Sequence, residues 1–146
     1  MYSVVIPLHN ESGNIKSLVQ EIHDTFMTVV KKEYEIVLID DASTDRSGEI
    51  LERWKVSEPR LRVITNKQNL NVGWNTRIAV KAARKDYLIW QMVDWCYDIS
   101  QLQNYLELLK KADVIQGVRV VPRNGNSRIS IKSICFLYFR RSDKPW

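Results

Sequence analysis

A chain of 146 residues, with 45% apolar and 27% charged side chains, has the make-up of one soluble globular domain. It holds no apolar run of roughly 18 residues, so nothing in it is expected to cross a membrane as a helix. The net charge of +5 is uneven: from Arg119 onward seven Lys and Arg face one acid, Asp143, which argues against a general nucleic-acid footprint on the body of the chain.

The first predicted element is a buried strand, "YSVVIPL" (2–8), a β-branched run that meets Pro7. His9, Asn10 and Glu11 follow, so this N-terminal run does not read as a signal peptide. Residues 14–32 place Ile15, Leu18, Val19, Ile22, Phe26 and Val29 at helical spacing, with Asn14 as the N-cap and Lys31 and Lys32 at the end. "YEIVLID" (34–40) is a second strand, and 45–56 a helix with Ile50, Leu51 and Trp54 facing inward. A third strand is expected at 61–65, a helix at 74–85, and a fourth strand at 87–93. A helix over 100–112, with Ser100 as candidate cap, and a fifth strand over 113–121 complete the series. Strands alternate with helices and are continuous apolar runs, the pattern of a mostly parallel sheet flanked by helices. Cys96 and Cys135 make no disulfide framework and suit a reducing, cytoplasmic compartment.

Ligands of such sheets sit at the carboxyl ends of the strands. The residues there form an unusual set. Pro7, His9, Asn10 and Glu11 follow the first strand, and Asp40, Asp41, Ser43 and Asp45 the second. Asn66, Gln68, Asn69, Asn71 and Gly73 follow the third, and Asp94 the fourth. Each has a plain structural reading: Asp45 as a helix cap, the asparagines as turn formers, His9 as a packing residue. Their gathering on one edge is what those readings leave unexplained. No Gly-rich phosphate loop is present, so a bound nucleotide would need a divalent cation, for which Asp94 is a suitable hard ligand.

"SVVIPLHNE", "YEIVLIDDASTDRS" and "NLNVGWNTRIAVKAARKDYLIWQMVD" together resemble the nucleotide-binding half of a family 2 glycosyltransferase with the GT-A fold, over roughly residues 2–120. The resemblance implies a nucleotide-binding set of Pro7, His9, Glu11, Asp40, Asp41 and Asn69. It also implies a metal, Mg²⁺ or Mn²⁺, at Asp94, where the family carries two acids one residue apart. Here Cys96 replaces the second acid, and a protonated thiol is a poor ligand for these ions. Asp98 either supplies the missing carboxylate or caps the next helix. His9 stands where the family has tyrosine.

The implied reaction is inverting transfer of a sugar from a nucleotide-diphosphate donor, similar to that of polyprenyl- and dolichyl-phosphate sugar transferases. A lipid phosphate acceptor is already anionic and needs no catalytic base, which suits a chain with no evident base. The alternative is a truncated or degenerate transferase domain that binds nucleotide without turnover. Two regions are expected: a GT-A domain over 1–121 and a basic, aromatic segment over 122–146. Ile129, Ile131, Ile134, Leu137, Tyr138 and Phe139 lie there among Arg128, Lys132, Arg140 and Arg141. That segment is expected either to meet an anionic membrane surface, placing the domain at the inner face of a membrane, or to be a helix or strand that packs on the sheet in a longer protein.

Overall fold

The structure is a computed structural model, and it describes residues 1–93, 102–109, 111–118 and 134–140. Among these, six strands form one sheet: β1 (Tyr2–Leu8), β2 (Tyr34–Asp40), β3 (Leu61–Thr65), β4 (Tyr87–Trp90), β5 (Val114–Val118) and β6 (Ile134–Arg140). Four α-helices accompany them: α1 (Ile15–Thr25), α2 (Ser47–Ser57), α3 (Asn71–Ala82) and α4 (Leu102–Leu108). The strand order is β3-β2-β1-β4-β6-β5. β1 runs parallel to β2 and β4, and β2 to β3, while β6 is antiparallel to both β4 and β5.

Side chains of a strand alternate between faces, and this divides the core in two. Val4, Ile6 and Leu8 of β1 join Ile36 and Leu38 of β2 beneath Leu18 and Ile22 of α1, Leu51 of α2 and Leu102 of α4. Val5, Val37 and Ile39 pack on the other face with Ala79 of α3 and with Leu88 and Trp90 of β4. Both faces of the central strands are therefore covered, which is why their sequences are continuous apolar runs.

Several boundaries differ from expectation, each for a local reason. The first helix changes pitch after Thr25: residues Phe26–Val30 form a wide π turn, closed by Lys31 N–H to Phe26 O at 2.8 Å. Thr28, Val29 and Val30 are a β-branched run that favours a regular α-helix little. Lys31 then ends the turn with φ 50°, a left-handed conformation. α3 begins at Asn71, three residues before the expected Trp74, because a carboxylate just after β2 caps it. β4 stops at Trp90, and the chain leaves the sheet over the last part of the predicted strand. α4 is shorter than the predicted helix, and its candidate cap Ser100, like the side chain of Val29, lies outside the described residues.

The sheet does not stop at residue 121. β6, from the apolar run "ICFLYFR", sits between β4 and β5, with Leu88 opposite Phe139 and Ile115 opposite Tyr138. Part of the 122–146 segment is thus a strand inside the sheet. Among the described residues, no helix is long and apolar enough to cross a membrane.

Candidate functional site

The loops after β1 and β2 are stitched together residue by residue. His9 Nδ1 lies 2.8 Å from the Asp41 carbonyl. A carbonyl only accepts, so Nδ1 carries the hydrogen, and Nε2 receives the Asn10 amide at 3.3 Å. Asn10 adopts φ 58°, a conformation that asparagine tolerates. Its Oδ1 accepts the Thr44 and Asp45 amides at 2.7 and 3.2 Å, and its own N–H donates to Ser43 Oγ. Glu11 N–H donates to Ser47 Oγ at 3.0 Å, and Ser12 N–H to Asp45 Oδ2 at 3.1 Å. Asp45 also accepts the Ser47 amide at 2.9 Å, so it caps the start of α2. Burial pushes its pKa up, but the Ser47 and Ser12 donors outweigh this and hold it well below the usual carboxylate range.

The two adjacent acids part at this edge. Asp40 lies on the α2 face, 2% exposed, and its Oδ1 accepts the Ser43 amide at 2.9 Å. Asp41 lies on the opposite face. Its Oδ1 accepts Asn66 Nδ2 and Leu70 N–H, both at 2.8 Å, and its Oδ2 accepts Asn71 N–H at 3.0 Å. Leu70 and Asn71 open α3, whose own N-cap side chain makes no cap bond, so Asp41 caps that helix from another element. Burial raises the Asp41 pKa, but the donors of Leu70, Asn66, Asn75 and Asn71 prevail and lower it. Asn66 Nδ2 also reaches Asn75 Oδ1 at 2.7 Å, which ties the loop after β3 to the first turns of α3.

These loops enclose a cleft of about 250 Å³ at the carboxyl ends of the strands. Pro7, His9, Glu11, Asp41 and Asn69 line it, so five of the six nucleotide-site residues expected from the sequence come together. Asp40 is not in its wall, because the pleat turns the carboxylate toward α2, where Gly48 leaves room. Asn71, Val72, Asn75, Met92 and Val93 complete the lining. Sequence reasoning passed over Asn75, although it stands one helical turn beyond Asn71. Asp94, Cys96 and Asp98 lie outside the described residues, but the cleft wall runs to Val93, one residue before Asp94. Among the described residues, no group of three or more His, Cys, Asp or Glu side chains could hold a metal ion.

Comparison with known proteins agrees with this architecture. The sequence model of Glycosyl transferase family 2 matches residues 3–145. The chain is 27% identical over 123 residues to Glycosyltransferase AglD of Haloferax volcanii, which covers 82% of this chain and 20% of that protein. It is 41% identical over 76 residues to the undecaprenyl-phosphate 4-deoxy-4-formamido-L-arabinose transferase of Edwardsiella ictaluri, covering 52% of this chain and 23% of that one. The chain thus spans a quarter or less of the length of these two relatives. In structure it superposes on the mannosyltransferase PcManGT of Pyrobaculum calidifontis, solved with GDP-Man and Mn²⁺, with a TM-score of 0.71 at 19% identity over 96% of this chain and 44% of that one. The fold is GT-A, as the sequence implied, and the chain belongs to glycosyl transferase family 2.

Proposed function

We propose that this chain is the donor-binding domain of an inverting glycosyltransferase that takes a sugar from a nucleotide diphosphate and passes it to a lipid phosphate. The observation that carries the reading is the meeting of Pro7, His9, Glu11, Asp41 and Asn69 in one cleft at the strand ends. Asp41 suits recognition of a nucleobase. Its carboxylate lines the cleft, and two oxygens with about four acceptor sites suit a ring N–H. Its depressed pKa keeps it an acceptor at neutral pH. Pro7 and Val72 offer apolar wall to a flat base, and the Asn10–Asp45 network holds the loops open without help from ligand.

A divalent metal fits this donor set if Asp94 holds it, with Asp98 as second candidate, since both carry hard oxygen donors and follow the cleft-lining Val93 in sequence. Such an ion, Mg²⁺ or Mn²⁺, would neutralise the charge developing on the diphosphate leaving group. PcManGT was solved with GDP-Man and Mn²⁺, and the Edwardsiella relative is named for undecaprenyl phosphate. Both support the reading. Transfer to a membrane-borne acceptor would place the domain at a membrane surface, on its cytoplasmic side.

A thermal-shift series with UDP and GDP, each with and without Mn²⁺, tests it. At ligand near 100 Kd, binding adds about 2.7 kcal/mol to apparent stability. One nucleotide with Mn²⁺ is expected to raise the melting midpoint, and Asp94→Asn to abolish the Mn²⁺-dependent part. Asp98→Asn should weaken that part only if Asp98 is a ligand, since Asn caps a helix nearly as well. Cys96→Ser should change little. No shift with any nucleotide would sink the proposal.

A further inference from the structure

A larger cleft, of about 710 Å³, opens at the other end of the strands. The end of α1, the start of β2, the loop before β3 and the loop after α3 form its walls. Lys31, Lys32, Arg60, Arg62, Arg84 and Lys85 line it, against two acids, Glu33 and Glu35. Glu35 is already neutralised: it accepts Ser3 Oγ at 2.6 Å, Arg84 N–H at 2.7 Å and Arg62 Nη1 at 3.3 Å. Burial raises its pKa, yet these donors prevail and hold it lowered, so it stays an anion that fixes its neighbours rather than a repulsive charge.

The cationic groups are held by the fold. Arg62 Nη1 also donates to Ala82 O at 2.7 Å, which leaves Nη2 and Nε outside both bonds. Arg60 lies over the Tyr34 ring at 5.5 Å. That ring stacks on Phe26, and its hydroxyl meets His23 Nδ1 at 2.6 Å. Among the described residues, no ion pair involves Lys31, Lys32, Arg84 or Lys85. Lysines and arginines near helix ends complement the helix dipole, and α1 and α3 end here. Arg60 pairs with Glu58 at 3.9 Å and Arg62 with Glu35, and two helix ends of about half a charge each, together with Glu33, do not balance the four cations that remain.

We propose that this basal cleft is a binding site for a phosphate-bearing anion. Its volume falls in the range of small-ligand sites. The fixed guanidinium of Arg62, with unspent donors, is suited to phosphate oxygens. The seven residues of β2 separate the two clefts by about 20 Å, so the anion here is not the diphosphate of a donor bound at the carboxyl edge. Phosphate chemistry of this kind comes from a soluble polyphosphate or from an anionic lipid headgroup.

The test uses the full chain at constant ionic strength. Sodium tripolyphosphate is titrated while the backbone amide resonances are followed, and sedimentation is measured with phosphatidylcholine vesicles and with vesicles containing phosphatidylglycerol. Tripolyphosphate is expected to shift Lys32, Arg84 and Lys85 while Asn69 and Asn71 stay still. The double variant Lys32→Gln, Arg84→Gln is expected to lose about tenfold in affinity, the worth of two solvent-exposed ion contacts, and to bind UDP as the parent does. Lys31→Gln, Lys85→Gln is an independent pair should the first fold poorly. Binding to phosphatidylglycerol vesicles without tripolyphosphate binding would assign the site to a lipid headgroup. Binding of neither probe, or equal binding by parent and both variants, would overturn the proposal.

Discussion

Asp40 and Asp41 are neighbours in sequence with separate duties, and the pleat separates them. Asp40 shapes the loop before α2 through the Ser43 amide, whereas Asp41 faces the cleft and starts α3. Asp40→Ala would leave that amide unpaired beside a buried strand end and is expected to cost about 1–3 kcal/mol in urea unfolding. Between these loops Ala42 holds φ 57°, a left-handed conformation that costs a residue with a Cβ about 1–2 kcal/mol. Ala42→Gly should therefore raise stability by about 0.5–1 kcal/mol after the extra unfolded-state entropy is subtracted, visible as a higher urea midpoint. Acid should act on Asp41, Asp45 and Glu35 together. Their folded pKa values lie below the unfolded ones, so their contribution is complete above about pH 4–5 and is lost as pH falls toward the folded values. Melting midpoints should be level from neutral pH to that point and fall below it. Asp45→Asn, which keeps a capping group without the charge, should flatten the fall.

At the scale of elements, the strands were legible because two covered faces demand unbroken apolar runs, and β1, β2 and β3 lie where the sequence puts them. Helix starts were less legible when the cap came from far away in sequence. The local signal at Asn71, the amide bond to Asn69 Oδ1 two residues back, is weak beside the bonds from Asp41, thirty positions earlier. The site was legible as a set of loops, but the choice between Asp40 and Asp41 needed the register of β2. Gly73, in the first turn of α3, has open space where a Cβ would stand. Gly73→Ala should add about 0.5–1 kcal/mol by the helix preference alone, measured by thermal unfolding. Nucleotide affinity should be unchanged, because Gly73 is not among the residues lining the cleft.

For the whole molecule, the least legible feature was β6. Its aromatic and basic residues suited a membrane-facing segment as well as a helix or strand packed on the sheet, and only the pairing with β4 and β5 decides for a strand that completes the sheet. A chain stopped at residue 126 would leave β5 with no strand partner and β4 with a bare edge on the side away from β1. It is expected to aggregate, or to melt without a cooperative transition, in circular dichroism and size-exclusion chromatography. The same insertion sets a clock on biosynthesis. β1 to β4 can pair as each leaves the ribosome, but β5 must wait for a strand that is translated after it. At about 5–20 residues per second, the roughly fifty residues from the end of β4 to the end of β6 amount to about 2.5–10 seconds in which the β4 edge has no strand to cover it, and a chaperone that masks strand edges would find its substrate in that interval.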